Sequence, residues 1–299
     1  MLLWPPWRLR ALVRTAVHAR SLRAAWRLHT ERVGPTTIRL PGFAGTFRFR
    51  SGTSDARLLR GLVERGLPPE YEWPADLRPR VILDIGANIG AVTAALVRRY
   101  PEARIFAFEP LPENFDLLRH NVAQFARVTP VPYGLGAATE SRPYTRSDDP
   151  RNFGGGGFHG GRADHGTRVS GLAIVAVEQA LRELHIEFVD AIKIDTEGAE
   201  HDILMSFPPA VLRQVQVIVG ELHGKPGDTE LLDYLGRFFR VARIERHGRV
   251  KWFRALAPPD GPAALRHVDR GTCGVGVPDA AHSRTVLDSG AHLPSTPSY

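Results

Sequence analysis

The chain has 299 residues, 43% hydrophobic and 24% charged, ordinary globular usage that excludes wholesale disorder. Its length fits one large α/β domain, or a core of about 200 residues with additions at the ends. No apolar run reaches the roughly 18–20 residues needed to cross a bilayer, and a single cysteine, Cys273, excludes a disulfide framework or a multi-cysteine zinc site within one chain.

The formal net charge of +7 is concentrated at the start. Arg8, Arg10, Arg14, Arg20, Arg23 and Arg27 all precede the first acid, Glu31, which leaves the remainder nearly neutral. A nucleic-acid enzyme carries its basic face around its site, whereas this excess sits in a tail, so no nucleic-acid partner is expected. Within residues 1–34, Leu9, Leu12, Val13, Val17, Leu22 and Trp26 recur at roughly helical spacing among the arginines, behind Trp4 and Trp7. That pattern suits a helix packed on the main domain with a solvated basic face. The lesser alternative is peripheral contact with a membrane surface or acidic partner through residues 1–30. No uninterrupted apolar stretch follows the first arginines, so a secretory signal is not expected. The expected location is the cytoplasm, or the periphery of a membrane, and the lone cysteine is compatible with a reducing compartment.

The main domain is expected over residues 35–278. Thr36–Leu40 and Thr46–Arg50 read as a hairpin around Pro41-Gly42, and Asp55 as the cap of a helix over 56–65. Val81–Ile85 is a short apolar run with one acid, as expected of a strand buried on both faces. Helix 91–99, strand 105–108, helix 112–124, strand 127–132, helix 177–185, strand 189–194, helix 198–206, strand 215–220 and helix 229–238 continue the alternation. This defines an α/β fold with a parallel sheet and helices on both faces. Phe239–Glu245 and Val250–Ala255 predict an antiparallel edge hairpin, Thr272–Val277 a last strand, and residues 279–299 a polar disordered tail. One interruption, about 137–170, contains two glycine clusters flanking Phe158 and His159. A loop of this length is either a mobile lid over a substrate or an inert flexible insertion.

Ligands of open parallel sheets bind beyond the carboxyl ends of the strands. There the chain places Asp84-Ile85-Gly86-Ala87-Asn88-Ile89-Gly90, Glu109-Pro110, Asp195-Thr196-Glu197-Gly198 and Glu221-Leu222-His223. In a dinucleotide fingerprint the second glycine admits a diphosphate. Asn88 stands in that position and obstructs it. Asp84 would repel a phosphate but could accept hydrogen bonds from a cationic amine. Glu109 lies near the spacing at which an acid takes ribose hydroxyls. The ligand so defined is an adenosine with a free ribose and a cationic amino-acid tail, S-adenosylmethionine.

These elements, with the run Lys193-Ile194-Asp195-Thr196-Glu197-Gly198-Ala199-Glu200 as the most distinctive, resemble the FkbM family of S-adenosylmethionine-dependent methyltransferases over about residues 45–278. Residue 196 is Thr where the family more often has Val. The resemblance implies a seven-stranded class I (Rossmann-like) methyltransferase fold and O-methylation of a hydroxyl on a sugar, glycolipid or secondary metabolite. It also implies Gly86, Asn88 and Gly90 against the methionine part of the cofactor, Asp84 near its amine, Glu109 on the ribose, and Gly134-Leu135 beside the adenine.

An alcohol is a poor nucleophile while protonated, so a base of near-neutral pKa is expected to assist. His223, with an ordinary pKa of about 6.5, is the first candidate. Asp195 is the second, with holding the cofactor as its other possible role. Glu197, Glu221, Phe158 and His159 are candidates for the acceptor pocket, and Lys193 is expected to pair with a carboxylate. No metal is expected, although Asp195, Glu197, Glu221 and His223 could form a site for Mg²⁺ or a similar ion. Competing readings are an NAD-linked oxidoreductase, which Asn88 opposes, and a membrane-surface or nucleic-acid binding protein with a vestigial site. The acceptor and the oligomeric state are not legible.

Overall fold

The computed structural model describes residues 6–68, 71, 73–147, 149, 151, 166–246 and 249–260. Two helices, α1 (Pro6–Ala19) and α2 (Leu22–His29), lead into an antiparallel pair, β1 (Gly34–Ile38) and β2 (Phe47–Ser51), and helix α3 (Ser54–Arg65). The alternating core follows as β3 (Val81–Ile85), α4 (Ala91–Arg99), β4 (Arg104–Phe108), α5 (Pro112–Val122) and β5 (Val128–Val131). After it come β6 (Gly134–Gly136), β7 (Glu140–Ser147), β8 (Gly166–Ala176), α6 (Val177–Glu183), β9 (Ala191–Ile194), α7 (Glu200–Met205), α8 (Pro209–Leu212), β10 (Val217–Glu221), α9 (Asp228–Leu235), β11 (Arg240–Arg246) and β12 (Arg249–Leu256).

The principal sheet has seven strands in the order β5-β4-β3-β9-β10-β12-β11. The pairs from β5 to β10 are parallel, and β12 runs antiparallel to both β10 and β11. This is the expected class I architecture with its edge hairpin. The central strands carry continuous apolar runs because helices cover both faces: every residue of β3 and β9 is buried. Strand order reverses between β3 and β9, so the loops after these two strands diverge and leave a crevice.

Three expectations are corrected. Asp55 is not the cap of α3. Thr53 is, its hydroxyl accepting from Asp55 N, while Asp55 is buried against the Arg50 guanidinium at 2.7 Å. The segment from 137 to 170 is not one long loop: β7 and β8 pair over much of it and, with β6, form a three-stranded sheet that packs beside the crevice. The basic tail is a helical pair whose packed face is Thr15, Ala19, Ala24, Ala25 and Leu28, not the apolar row seen in the sequence. Ala19, Ala24 and Leu28 join one core with Phe47, Phe49, Leu59 and Ile89. The glycine clusters with Phe158 and His159, the strand expected at Thr272–Val277 and the tail from 279 lie outside the described residues.

Candidate active site

The loop after β3 is shaped by backbone geometry that few residues allow. Gly86 has φ +78°, and a Cβ there would sit 1.8 Å from the Asp195 carbonyl, so only glycine lets the ends of β3 and β9 meet. Asn88 takes the left-handed conformation at φ 51°, which asparagine tolerates better than most residues. Gly90, also left-handed, faces Leu118 of α5 at 2.8 Å from its would-be Cβ. It closes the helix against the sheet, and the crevice lining begins at its neighbours in the loop, Gly86, Ala87 and Asn88.

The expectation for Asp84 is corrected. It is fully buried, accepts from Thr93 Oγ1 at 2.6 Å and pairs with Lys193 Nζ at 3.1 Å. It therefore lies beneath the loop, out of reach of a ligand amine. Lys193 is the expected carboxylate partner. Its ammonium also donates to the Gly86 carbonyl at 2.7 Å, tying β9 to the loop. Burial depresses the Lys193 pKa, but the Asp84 and Asp195 carboxylates outweigh it and the net shift is upward.

The crevice is lined by Gly86, Ala87, Asn88, Glu109, Pro110, Gly134, Leu135, Asp195 and Glu197, all of them expected site residues. Sequence reasoning missed Leu58 of α3, Tyr71, Asn114, and Tyr144 and Ile174 from the β7–β8 arm. Glu109 is only 5% exposed. Its Oε2 accepts from Asn88 N at 2.8 Å and its Oε1 from Leu111 N at 3.0 Å. Burial raises its pKa to about 7 against the pull of these amides. Asn88 Oδ1 is buried with no hydrogen-bond partner among the described residues, so an acceptor waits in the wall of the crevice.

At the β9 and β10 ends, Tyr71 donates to Asp195 Oδ2 at 2.9 Å. Burial, reinforced by the Asp195 charge, pushes the Tyr71 pKa well up and keeps it a donor. His223 is held between two acids: Nε2 lies 3.3 Å from Glu197 Oε2 and Nδ1 lies 3.3 Å from Glu200 Oε2. Glu200 is itself buried and fixed by Thr196 N at 2.7 Å and by Thr196 Oγ1 at 2.9 Å. The threonine that departs from the family pattern thus gains a use for its hydroxyl. Burial alone would lower the His223 pKa, but the two carboxylates raise it to about 11. An imidazolium has no lone pair to take a proton, so His223 does not fit the expected role of near-neutral base. Burial raises the pKa of Glu197, whereas His223 and the Thr196 amide overcome burial at Glu200 and lower it. Asp195, Glu197 and His223 each offer an atom within 4.8 Å of the others, but a protonated His223 has no lone pair to give a cation. Glu221 ends β10 and does not line the crevice.

A family model for the FkbM methyltransferase domain matches residues 84–249. The fold and crevice are those of a class I methyltransferase domain, and the chain belongs to the FkbM methyltransferase family. It is similar to the AMB antimetabolite synthetase AmbE of Pseudomonas aeruginosa, 30% identical over 184 residues that make up 48% of this chain and 8% of that protein. The methyltransferase sdnD of Sordaria araneosa is 30% identical over 151 residues, 41% of this chain and 58% of that one. The hexuronic acid methyltransferase AglP of Haloferax volcanii is 25% identical over 225 residues, 71% and 85% of the two chains. The chain thus spans less than two thirds of the length of the first two relatives.

Proposed function

We propose that the protein transfers a methyl group from S-adenosylmethionine to a hydroxyl oxygen of a small-molecule or glycan acceptor, such as a sugar, glycolipid or secondary metabolite. The observation that carries this reading is the charge of the crevice. Asp195, Glu197 and, once ionised above about pH 7, Glu109 line it, while the cations beside them, Lys193 and His223, are held by Asp84 and by Glu197 and Glu200. Such a wall repels a diphosphate and attracts an ammonium and a sulfonium. The unpartnered Asn88 Oδ1 is an acceptor suited to an amine, and Glu109 Oε2 keeps a lone pair for a ribose hydroxyl. A sugar-acid acceptor is named for the Haloferax relative, and its similarity over most of both chains supports a sugar-like acceptor here.

When bound, S-adenosylmethionine supplies a methyl group already activated by its sulfonium. The protein's work is then alignment, exclusion of water and proton removal, of which orientation alone is worth roughly 7–11 kcal/mol in favourable cases. Asp195 Oδ2 is engaged by Tyr71, and Oδ1 stands 4.0 Å from His223 Nε2, beyond hydrogen-bond reach. Oδ1 is therefore the oxygen that accepts the acceptor's hydroxyl proton. Tyr71 fixes the carboxylate's orientation, and the His223 cation offsets the Glu197 and Glu200 charges beside it. With labelled S-adenosylmethionine and a panel of hydroxyl acceptors, Asp195→Asn lowers kcat by about 10²–10⁴-fold and leaves S-adenosylhomocysteine affinity within a few-fold. Full activity in that variant would remove Asp195 from proton transfer. Methyl incorporation into amines but not alcohols would overturn the acceptor class.

A further inference from the structure

Every large hydrophobic side chain that is exposed among the described residues belongs to the stretch from Trp7 to Val33. Trp7 is 65% exposed, Val17 69% and Trp26 55%, with Leu9, Val13 and Leu22 beside them in the sequence. Leu9, Val13 and Val17 recur every four residues on α1, on the side away from its buried Thr15 and Ala19. The helices already pack on the domain through Thr15, Ala19, Ala24, Ala25 and Leu28, so this row is surplus to the fold. The arginines of the same helices have no acid among them.

A second, independent feature lies alongside. Between α1 and α3 runs a cavity of about 900 Å³, lined by seven arginines, Arg10, Arg57, Arg60 and Arg151 among them, against two glutamates. Both glutamates are already neutralised: Glu31 by Arg8 at 2.7 Å and Glu64 by Arg14 at 3.1 Å. Burial first, and then the Arg60 charge, lower the pKa of His29 in its wall. Exposed Trp7 is part of the lining, so the cavity borders the apolar row.

We infer that this face docks on an anionic lipid bilayer, the apolar row of α1 and α2 entering the interface and the arginine-lined cavity receiving a lipid phosphate. Both halves of the surface are then used. Aliphatic Leu9, Val13 and Val17 gain nothing from a nucleic-acid backbone, whereas the headgroup–acyl boundary buries them. A second copy of this chain would bring two like-charged arginine sets together. Tryptophan beside arginine suits the interfacial zone, and each arginine near an anionic surface strengthens attachment about fivefold. Helix α3 links this face to the active site: Arg57 and Arg60 line the basic cavity while Leu58, between them, lines the crevice.

The test is flotation of the full chain with vesicles of phosphatidylcholine alone and of phosphatidylcholine with phosphatidylglycerol. The chain floats with the anionic vesicles only. Val13→Glu with Val17→Glu abolishes flotation, and Arg10→Ala with Arg57→Ala weakens it about fivefold for each arginine removed. These side chains are exposed, so thermal melting and S-adenosylhomocysteine binding of both variants stay at the parent values. Equal flotation on neutral vesicles, none on either, or undiminished flotation of the Val13→Glu/Val17→Glu variant overturns the inference. So does RNA binding that matches vesicle binding and survives those two substitutions, or a dimer that they dissolve.

Discussion

At Glu109, burial sets the pH range over which the proposed contact with a ribose can form. Its pKa is raised from the ordinary 4.5 to about 7, so the folded protein holds a proton there that the unfolded chain releases between those values. Stability of the ligand-free protein from this group therefore falls as pH rises from about 4.5 through 7. Binding runs the other way. Ribose hydroxyls donate to the ionised carboxylate, and a protonated one must carry its hydrogen on an oxygen that already accepts from a backbone amide. S-Adenosylhomocysteine affinity, measured by calorimetry, is predicted to fall up to about tenfold for each pH unit below 7, and Glu109→Gln flattens that dependence. An affinity independent of pH from 5 to 8 in the parent protein would take Glu109 off the ribose. Glu109 was legible from its distance to Gly86, but its pKa was not, because that depends on α5 and the loop closing over it. The same limit explains Asp84 and His223. Both lie at strand ends in the sequence, yet their roles are decided by Lys193, Glu197 and Glu200, which only the folded sheet brings into contact.

Among the elements, the β7–β8 arm changes the account most. It places Tyr144 and Ile174 in the crevice wall, and Tyr144 packs with Leu111 and Leu172 into a small core of its own. The crevice is therefore closed on one side by residues from what reads as an insertion. Ile174→Ala is predicted to cost about 2–5 kcal/mol of stability and to weaken S-adenosylhomocysteine binding at a temperature where the variant is fully folded. A lower Tm with unchanged affinity would make the arm structural only. The core strands were readable because burial on both faces enforces unbroken apolar runs, as in Val81–Ile85. The arm was not: Glu140–Ser147 carries arginine, proline and serine with no alternation, and Tyr144, the deeply buried anchor among its described side chains, has no apolar neighbour in sequence to signal it. Leu172 and Ile174 do alternate in β8, a signal masked by the glycines before them.

At the scale of the whole molecule, charge is divided between two faces that share α3. One is basic, with surplus apolar side chains. The other is the crevice at the ends of β3, β4 and β9, where acids outnumber the single lysine. The helical pair also belongs to the domain's core, since Leu28 packs in one cluster with Phe47 and Ile89. The first residues are thus less separable from the domain than the composition break before Glu31 suggests. The central claim concerns the acidic face, and calorimetry on the full chain tests it most directly. Titrating S-adenosylmethionine, S-adenosylhomocysteine and NAD separately is predicted to give one-to-one binding for the first two and no heat for the dinucleotide. Saturable uptake of NAD, with none for either sulfur nucleoside, would contradict it.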